Sequence, residues 1–139
     1  LGQPQRALLD FDEAIRLNPR YTLAHINRGN VYINLSQFER AIQDFNEAID
    51  LDPQYTLAYN GRGTAYARLG QPQRAIQDFG KTIDLDPRNA QAYAMQALAH
   101  TMLNMDAEAQ QDFDRAVRLG IDPSFLQAEI EKLKKWRQR

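Results

Sequence analysis

The chain has no cysteine among its 139 residues. That excludes disulfides, thiolate nucleophiles and thiolate metal sites, although it does not fix a compartment, and a cytoplasmic setting is only the default. There is almost no net charge: 17 Lys and Arg against 18 Asp and Glu leave −1. No overall positive field therefore favours nucleic acid or an acidic membrane. No apolar run approaches the ~20 residues that a membrane span needs, and no signal peptide is visible. Glycine-rich phosphate loops and G-x-S-x-G are both missing, which leaves no motif for nucleotide handling or acyl transfer. With two histidines and no clustered ligand spacing, no metal set can be drawn. These absences argue for a chain with no catalytic site, no cofactor and no metal.

What the chain has instead is repetition. "LGQPQRA" at residues 1–7 returns at residues 69–75, an offset of 69 − 1 = 68, or two steps of 34. The same step connects Ala7, Ala41, Ala75 and Ala109, and likewise Phe11, Phe45, Phe79 and Phe113. Asp10, Asp44, Asp78 and Asp112 follow it, as do Leu17, Leu51, Leu85 and Leu119. Pro19, Pro53 and Pro87 keep the step, and Pro123 arrives two residues late. A fixed period of this length marks a chain built from stacked copies of one unit.

Residues 22–55 show what one unit contains. His25, Gly29 and Tyr32 lie at i, i+4 and i+7, one face of a helix. After "SQ", Phe38, Ala41, Ile42, Phe45, Ala48 and Ile49 form a second apolar stripe at helical spacing. "DP" stops that helix, because the residue before proline disfavours helical backbone. The unit is a helix, a tight turn, a second helix and a short connection. A glycine inside a helix costs ~1 kcal/mol relative to alanine, so Gly29 suggests close packing. Helices are expected near 4–17, 22–35, 38–51, 56–69, 72–85, 90–103, 106–119 and 124–136.

This pattern resembles the tetratricopeptide repeat (TPR) family, whose period is 34 residues. The family sequence of aromatic, Gly or Ala, aromatic, Ala, aromatic, Ala and Pro is matched by His25, Gly29, Tyr32, Ala41, Phe45, Ala48 and Pro53. Tyr59, Gly63, Tyr66, Ala75, Phe79, Thr82 and Pro87 match it again, and Tyr93, Ala97, His100, Ala109, Phe113, Ala116 and the late Pro123 a third time. The resemblance implies an all-α, right-handed α-solenoid of helix-turn-helix repeats. Its expected divisions are the second helix of a truncated repeat (1–21), three repeats (22–55, 56–89, 90–123) and a capping helix (124–139). It also implies a non-catalytic scaffold that holds an extended peptide or partner helix in a concave groove. The alternative is an accessory domain that presents substrate in a larger enzyme or secretion machine.

Carried over position by position, the groove comprises Asn27, Asn30, Asn34, Asn60, Thr64, Arg68, Met95, Leu98 and Met102, with Ile26, Leu57, Gly61 and Gln91 beside them. Its first half is rich in amides, which can pair with a peptide backbone of any sequence. Its second half is apolar, and methionine suits adaptable contact. The asparagines are otherwise plain polar surface, and the methionines otherwise contact the cap. Some relatives clamp the acidic tails of chaperones with Lys, Asn and Arg. The matching positions here are Ile26, Asn30, Gly61, Gln91 and Met95, and only Asn30 fits, so such a clamp is not expected.

Three further expectations concern charge and the chain ends. Arg28 and Arg62 share one repeat position and Asp44 and Asp78 another. They read as Arg28–Asp44 and Arg62–Asp78 pairs within a unit, or as Arg28–Asp10 and Arg62–Asp44 pairs between units, or as solvated charges. "KLKKWRQR" reads as the end of a capping helix with one polar face, with a nucleic-acid or lipid patch as the competing reading. The helix at 4–17 carries Leu8, Leu9, Phe11 and Ile15 without a first helix of its own, which points to pairing with a second copy.

Overall fold

A computed structural model describes residues 2–139. These form eight helices: α1 (Gln3–Leu17), α2 (Thr22–Asn34), α3 (Phe38–Leu51), α4 (Thr56–Arg68), α5 (Pro72–Leu85), α6 (Ala90–Met102), α7 (Asp106–Arg118) and α8 (Pro123–Arg137). Each lies within one residue of its expected bounds at either end. Consecutive helices pack on one another from α1 to α7, the arrangement of an α-solenoid.

Turn chemistry repeats with the period. Ser36, Gly70 and Asn104, 34 residues apart, all have positive φ, at 57°, 72° and 59°. Each closes the turn between a first and second helix, where the next N–H reaches back to the carbonyl of Tyr32, Tyr66 or His100 at 2.8, 2.9 and 3.0 Å. Only one of the three is glycine; serine and asparagine accept the left-handed backbone at some cost. In the connections after the second helices, Asn18, Asp52 and Asp86 each accept a bond from the N–H two residues on, at 3.2, 3.1 and 3.3 Å. Such side chains turn the backbone by standing in for a peptide carbonyl. The last connection, 119–122, is as long as 86–89, because the late Pro123 is the first residue of α8, and within it Gly120 has φ 112°.

Rings seated in narrow slots hold the pairs together. Phe45 on α3 is fully buried. A Cβ on Gly29 of α2 would lie 3.0 Å from its ring and one on Gly61 of α4 only 2.4 Å. The ring thus fills a slot between two successive first helices. Phe79 repeats this against Gly63, where a Cβ would come within 2.7 Å. Met95, one period after Gly61, packs against the cluster of Ala75, Phe79 and Ala99.

Arginines tie the helices from the outside. Arg28 Nε and Nη2 donate to the two carboxylate oxygens of Asp44 at 2.9 and 2.7 Å, and its Nη1 donates to Asp12 at 2.8 Å. Arg62 forks onto Asp78 at 2.9 and 2.8 Å and reaches Asn46 at 2.7 Å. The pairing is therefore within the unit. The third arm does cross to the previous second helix, but to the residue two beyond the expected aspartate. Both guanidinium pKa values are raised, first by these hydrogen bonds to carboxylate. The third copy breaks the rung. Position 96 is glutamine and donates to the Ile76 carbonyl at 3.3 Å, and the acceptor position at 80 is glycine. His100, one turn further along α6, takes over the carboxylate, with Nδ1 2.7 Å from Asp112 Oδ2.

The other histidine is also architectural. His25 Nε2 donates to the Pro19 carbonyl at 2.9 Å, as the Tyr59 hydroxyl does to Pro53 at 2.9 Å one period later. Among the described residues no group of three or more His, Cys, Asp or Glu could hold a metal ion. Nor is any helix among the described residues long and apolar enough to cross a membrane.

α8 does not continue the stack as α4 and α6 do. It lies along α6 and touches α7 only marginally. Leu126 and Ile130 are buried against Ala94, Ala97 and Leu98. At its end Arg137 donates to the Thr101 carbonyl at 2.9 Å and forks onto Asp106 at 2.9 and 2.8 Å. At the opposite end of the array α1 has no buried residue, and Leu9 and Leu17 are exposed.

Three outcomes follow for stability. Gly61→Ala should cost about 1–3 kcal/mol in urea denaturation, because the new methyl overlaps a ring that cannot withdraw. Gly80→Ala should gain up to ~1 kcal/mol, since its Cβ would meet only Gln96 Nε2, at 3.7 Å. For the rung, Arg62→Leu should cost about 3 kcal/mol by stranding the buried Asp78. A double-mutant cycle should give a coupling of about 1.5–3 kcal/mol for Arg62 with Asp78 and near zero for Arg62 with Asp44. Burial raises the Asp112 pKa, against the opposing bond from His100. A carboxyl with a raised folded pKa supports folding while protonated and loses that support as pH rises through the raised value. The stability of Asp112→Asn relative to the parent should accordingly shift in the variant's favour as pH rises through and above the ordinary aspartate range, read from urea midpoints.

Candidate functional site

The first helices present one row of side chains, and three recesses open along it. The first, about 200 Å³, is lined by Asn30 and Ile33 of α2, by Leu57, Asn60, Gly61 and Thr64 of α4, and by Gln91 and Met95 of α6. Thr64 Oγ1 donates to the Asn60 backbone carbonyl at 2.9 Å. The Asn60 side-chain oxygen is buried and accepts no hydrogen bond. An unpaired buried acceptor is costly, so the side chain gains by turning to meet a donor.

The second recess, about 470 Å³, lies between α6 and the start of α8, where Gln91, Ala94, Met95 and Leu98 face Ile121, Phe125 and Leu126. The third, about 310 Å³, lies where Ala67 and Arg68 of α4 and Met95, Leu98 and Met102 of α6 meet Glu129 and Leu133 of α8. Met95 lines all three. Arg68 is exposed, stacks over the Phe38 ring at 5.2 Å from its centroid, and makes no ion pair among the described residues.

Seven of the nine residues assigned to a groove from sequence therefore border these recesses: Asn30, Asn60, Thr64, Arg68, Met95, Leu98 and Met102. Asn27 and Asn34 are exposed on α2 but border none of them. Two neighbours assigned with them do other work. Ile26 is buried in the core cluster around Phe45, and Gly61 sits against the Phe45 ring. Met95 packs on Phe79 and Leu98 on Leu126, so both are packing residues as well as lining. The reading that sets the methionines against the capping helix fits the third recess, and the period aligns a further α8 residue with the row: 57 + 34 = 91 and 91 + 34 = 125, which aligns Leu57, Gln91 and Phe125.

A "TPR repeat" family model matches residues 29–70, and "Tetratricopeptide repeat" models match residues 56–89 and 11–43. The chain belongs to the tetratricopeptide repeat family. The human tetratricopeptide repeat protein 6 is 47% identical over 38 residues, which is 27% of this chain and 7% of that protein. Among solved structures, a crystal structure of MamA is similar with a TM-score of 0.80 and 26% identity, covering 85% of this chain and 69% of that one. The second TPR domain of human RPAP3, solved by NMR in complex with the HSP70 peptide SGPTIEEVD, has a TM-score of 0.73 and 29% identity, covering 81% and 94%. The second TPR of Spaghetti (RPAP3), bound to the HSP90 peptide SRMEEVD, has a TM-score of 0.70 and 30% identity, covering 77% and 98%.

Proposed function

We propose that this chain is a non-catalytic protein-interaction module that holds an extended segment of a partner protein against the row of first helices. The observation that carries this reading is the buried, unpartnered Asn60 side-chain oxygen in a recess that also holds Asn30, Thr64 and Gln91. Turned into the recess by a side-chain rotation, that oxygen can accept from a peptide N–H, and the neighbouring amides can answer the next carbonyl and N–H. The RPAP3 domains, similar over most of their length, are solved with bound peptides, which supports the same use here. Residues 22–55, 56–89 and 90–123 are the three units we assign to this surface, flanked by 1–21 and 124–139.

The ligand we assign differs from an acidic EEVD tail. Of the five positions that would form a carboxylate clamp, Ile26 is in the core and Asn30, Gly61, Gln91 and Met95 border one neutral recess. No cation stands there to neutralise a terminal carboxylate. Peptides selected from a random displayed library on the full chain should therefore outcompete SRMEEVD. Asn30→Ala and Asn60→Ala should each weaken them by about two- to tenfold, the equivalent of one hydrogen bond of ~0.5–1.5 kcal/mol. Calorimetric titration with proteins of unchanged melting temperature measures this. Full affinity in both variants would mean that the amide row is not the site.

A further inference from the structure

α8 has the wrong surface for a helix that only seals the end of an array. A terminal helix of that kind turns polar side chains to water. Here Phe125 and Trp136 are 66% and 67% exposed, among the most exposed large apolar side chains of the described residues. Both fall in groove columns of the 34-residue period. Phe125 follows Leu57 and Gln91; Trp136 follows Asn34, Arg68 and Met102, since 34 + 34 = 68, 68 + 34 = 102 and 102 + 34 = 136. The geometry agrees for the part of α8 that borders a recess. Phe125 and Leu126 face Gln91 and Ala94 at the start of α6, and Leu133 faces Met102 near its end. α8 thus runs in the direction of α6 and offers it a second wall. The fork of Arg137 on Asp106 and its bond to Thr101 hold the far end of that wall in place.

We infer that α8 is part of the ligand site, and that the α6–α8 cleft takes two bulky apolar side chains, two residues apart, from an extended segment of a partner protein, with an acidic side chain beside them for Arg68. The inference rests on the groove reading above. The two recesses share Met95 and Leu98 and succeed one another along α6, offset by about one turn, or ~6 Å. An extended chain places same-face side chains two residues, or ~6.6 Å, apart. Recesses of about 470 and 310 Å³ have room for bulky side chains but not for a whole helix, which is ~10 Å across. Arg68 supplies the charge preference, because the other charge at that rim, Glu129, is already met by Lys132 Nζ at 2.6 Å. An exposed aromatic at the edge of an apolar recess is the kind of residue on which binding energy concentrates.

The test uses the full chain and the displayed random library. Selected peptides should share two bulky apolar residues in an apolar-x-apolar arrangement with a nearby Asp or Glu. Phe125→Ala, a surface substitution, should keep the melting temperature and weaken these peptides about tenfold. Arg68→Glu should reverse the preference from acidic to basic at the flanking position. If the peptides lose affinity with Asn30→Ala or Asn60→Ala but not with Phe125→Ala, the groove reading stands and the role of α8 is overturned. A selected set without the apolar pair overturns the pocket assignment in the same way. No enrichment, or no effect of any of these variants, overturns both readings.

Discussion

A phenyl ring pressed into a gap with no room for a Cβ sets the spacing of this array. Phe45 reaches from α3 between α2 and α4, and both helices meet it with glycine. Two backbones can approach the ring closely only because Gly29 and Gly61 are bare, and the dispersion contacts of so enclosed a ring offset the helix propensity that glycine gives up. The first helices are therefore held side by side at a separation that the ring determines. The recesses between them inherit their depth from it, and Gly61 serves as both slot and recess floor. At the next ring the rule relaxes. Phe79 meets Gly63, and Met95 rather than a second glycine packs against its cluster; from Met95 onward the surface changes from amide to apolar.

The arginine rungs change at the same place. Arg28 and Arg62 each connect three successive helices, spending two donors within the pair and one on the previous second helix. A rigid planar fork suits that task, and lysine could not reproduce it. At the third pair the arginine, its cross-unit acceptor and the tyrosine of the first helix are all replaced together, by Gln96, Gly80 and His100. The carboxylate of Asp112 is still answered, by His100, so no buried charge is left alone. The link from α5 to α6 loses its ionic part and keeps a single amide-to-carbonyl bond.

Most of this architecture was legible in the sequence, for a physical reason. Each helix pair solves the same packing problem, so Ala, Gly, Phe and Pro recur at fixed steps and a column of identical letters reads as a contact. The Arg–Asp pairing within a unit was legible on the same ground. What escaped were residues with two duties. Gly61 lines a recess and also makes the slot for Phe45. Ile26 stands in a groove position by register, yet its side chain turns into the core. The third arm of each arginine reaches a side chain that differs between copies, Asp12 in one and Asn46 in the other, so no repeated letter announced it. α8 reads as a cap from its charged faces, and the same helix starts almost in register and carries Phe125 in the column of Leu57.

These strands meet on α6, where the slot loosens, the rung ends and α8 supplies the opposite wall. The central claim is that a partner segment lies in that cleft. The chain has three methionines, and two of them, Met95 and Met102, line it, while Met105 lies outside the recesses. Methyl NMR of the full chain with a bound peptide reads all three at once. The account predicts intermolecular Overhauser contacts from peptide apolar protons to the Met95 and Met102 methyls and none to Met105. Contacts absent from Met95 and Met102 in a saturated complex would contradict it.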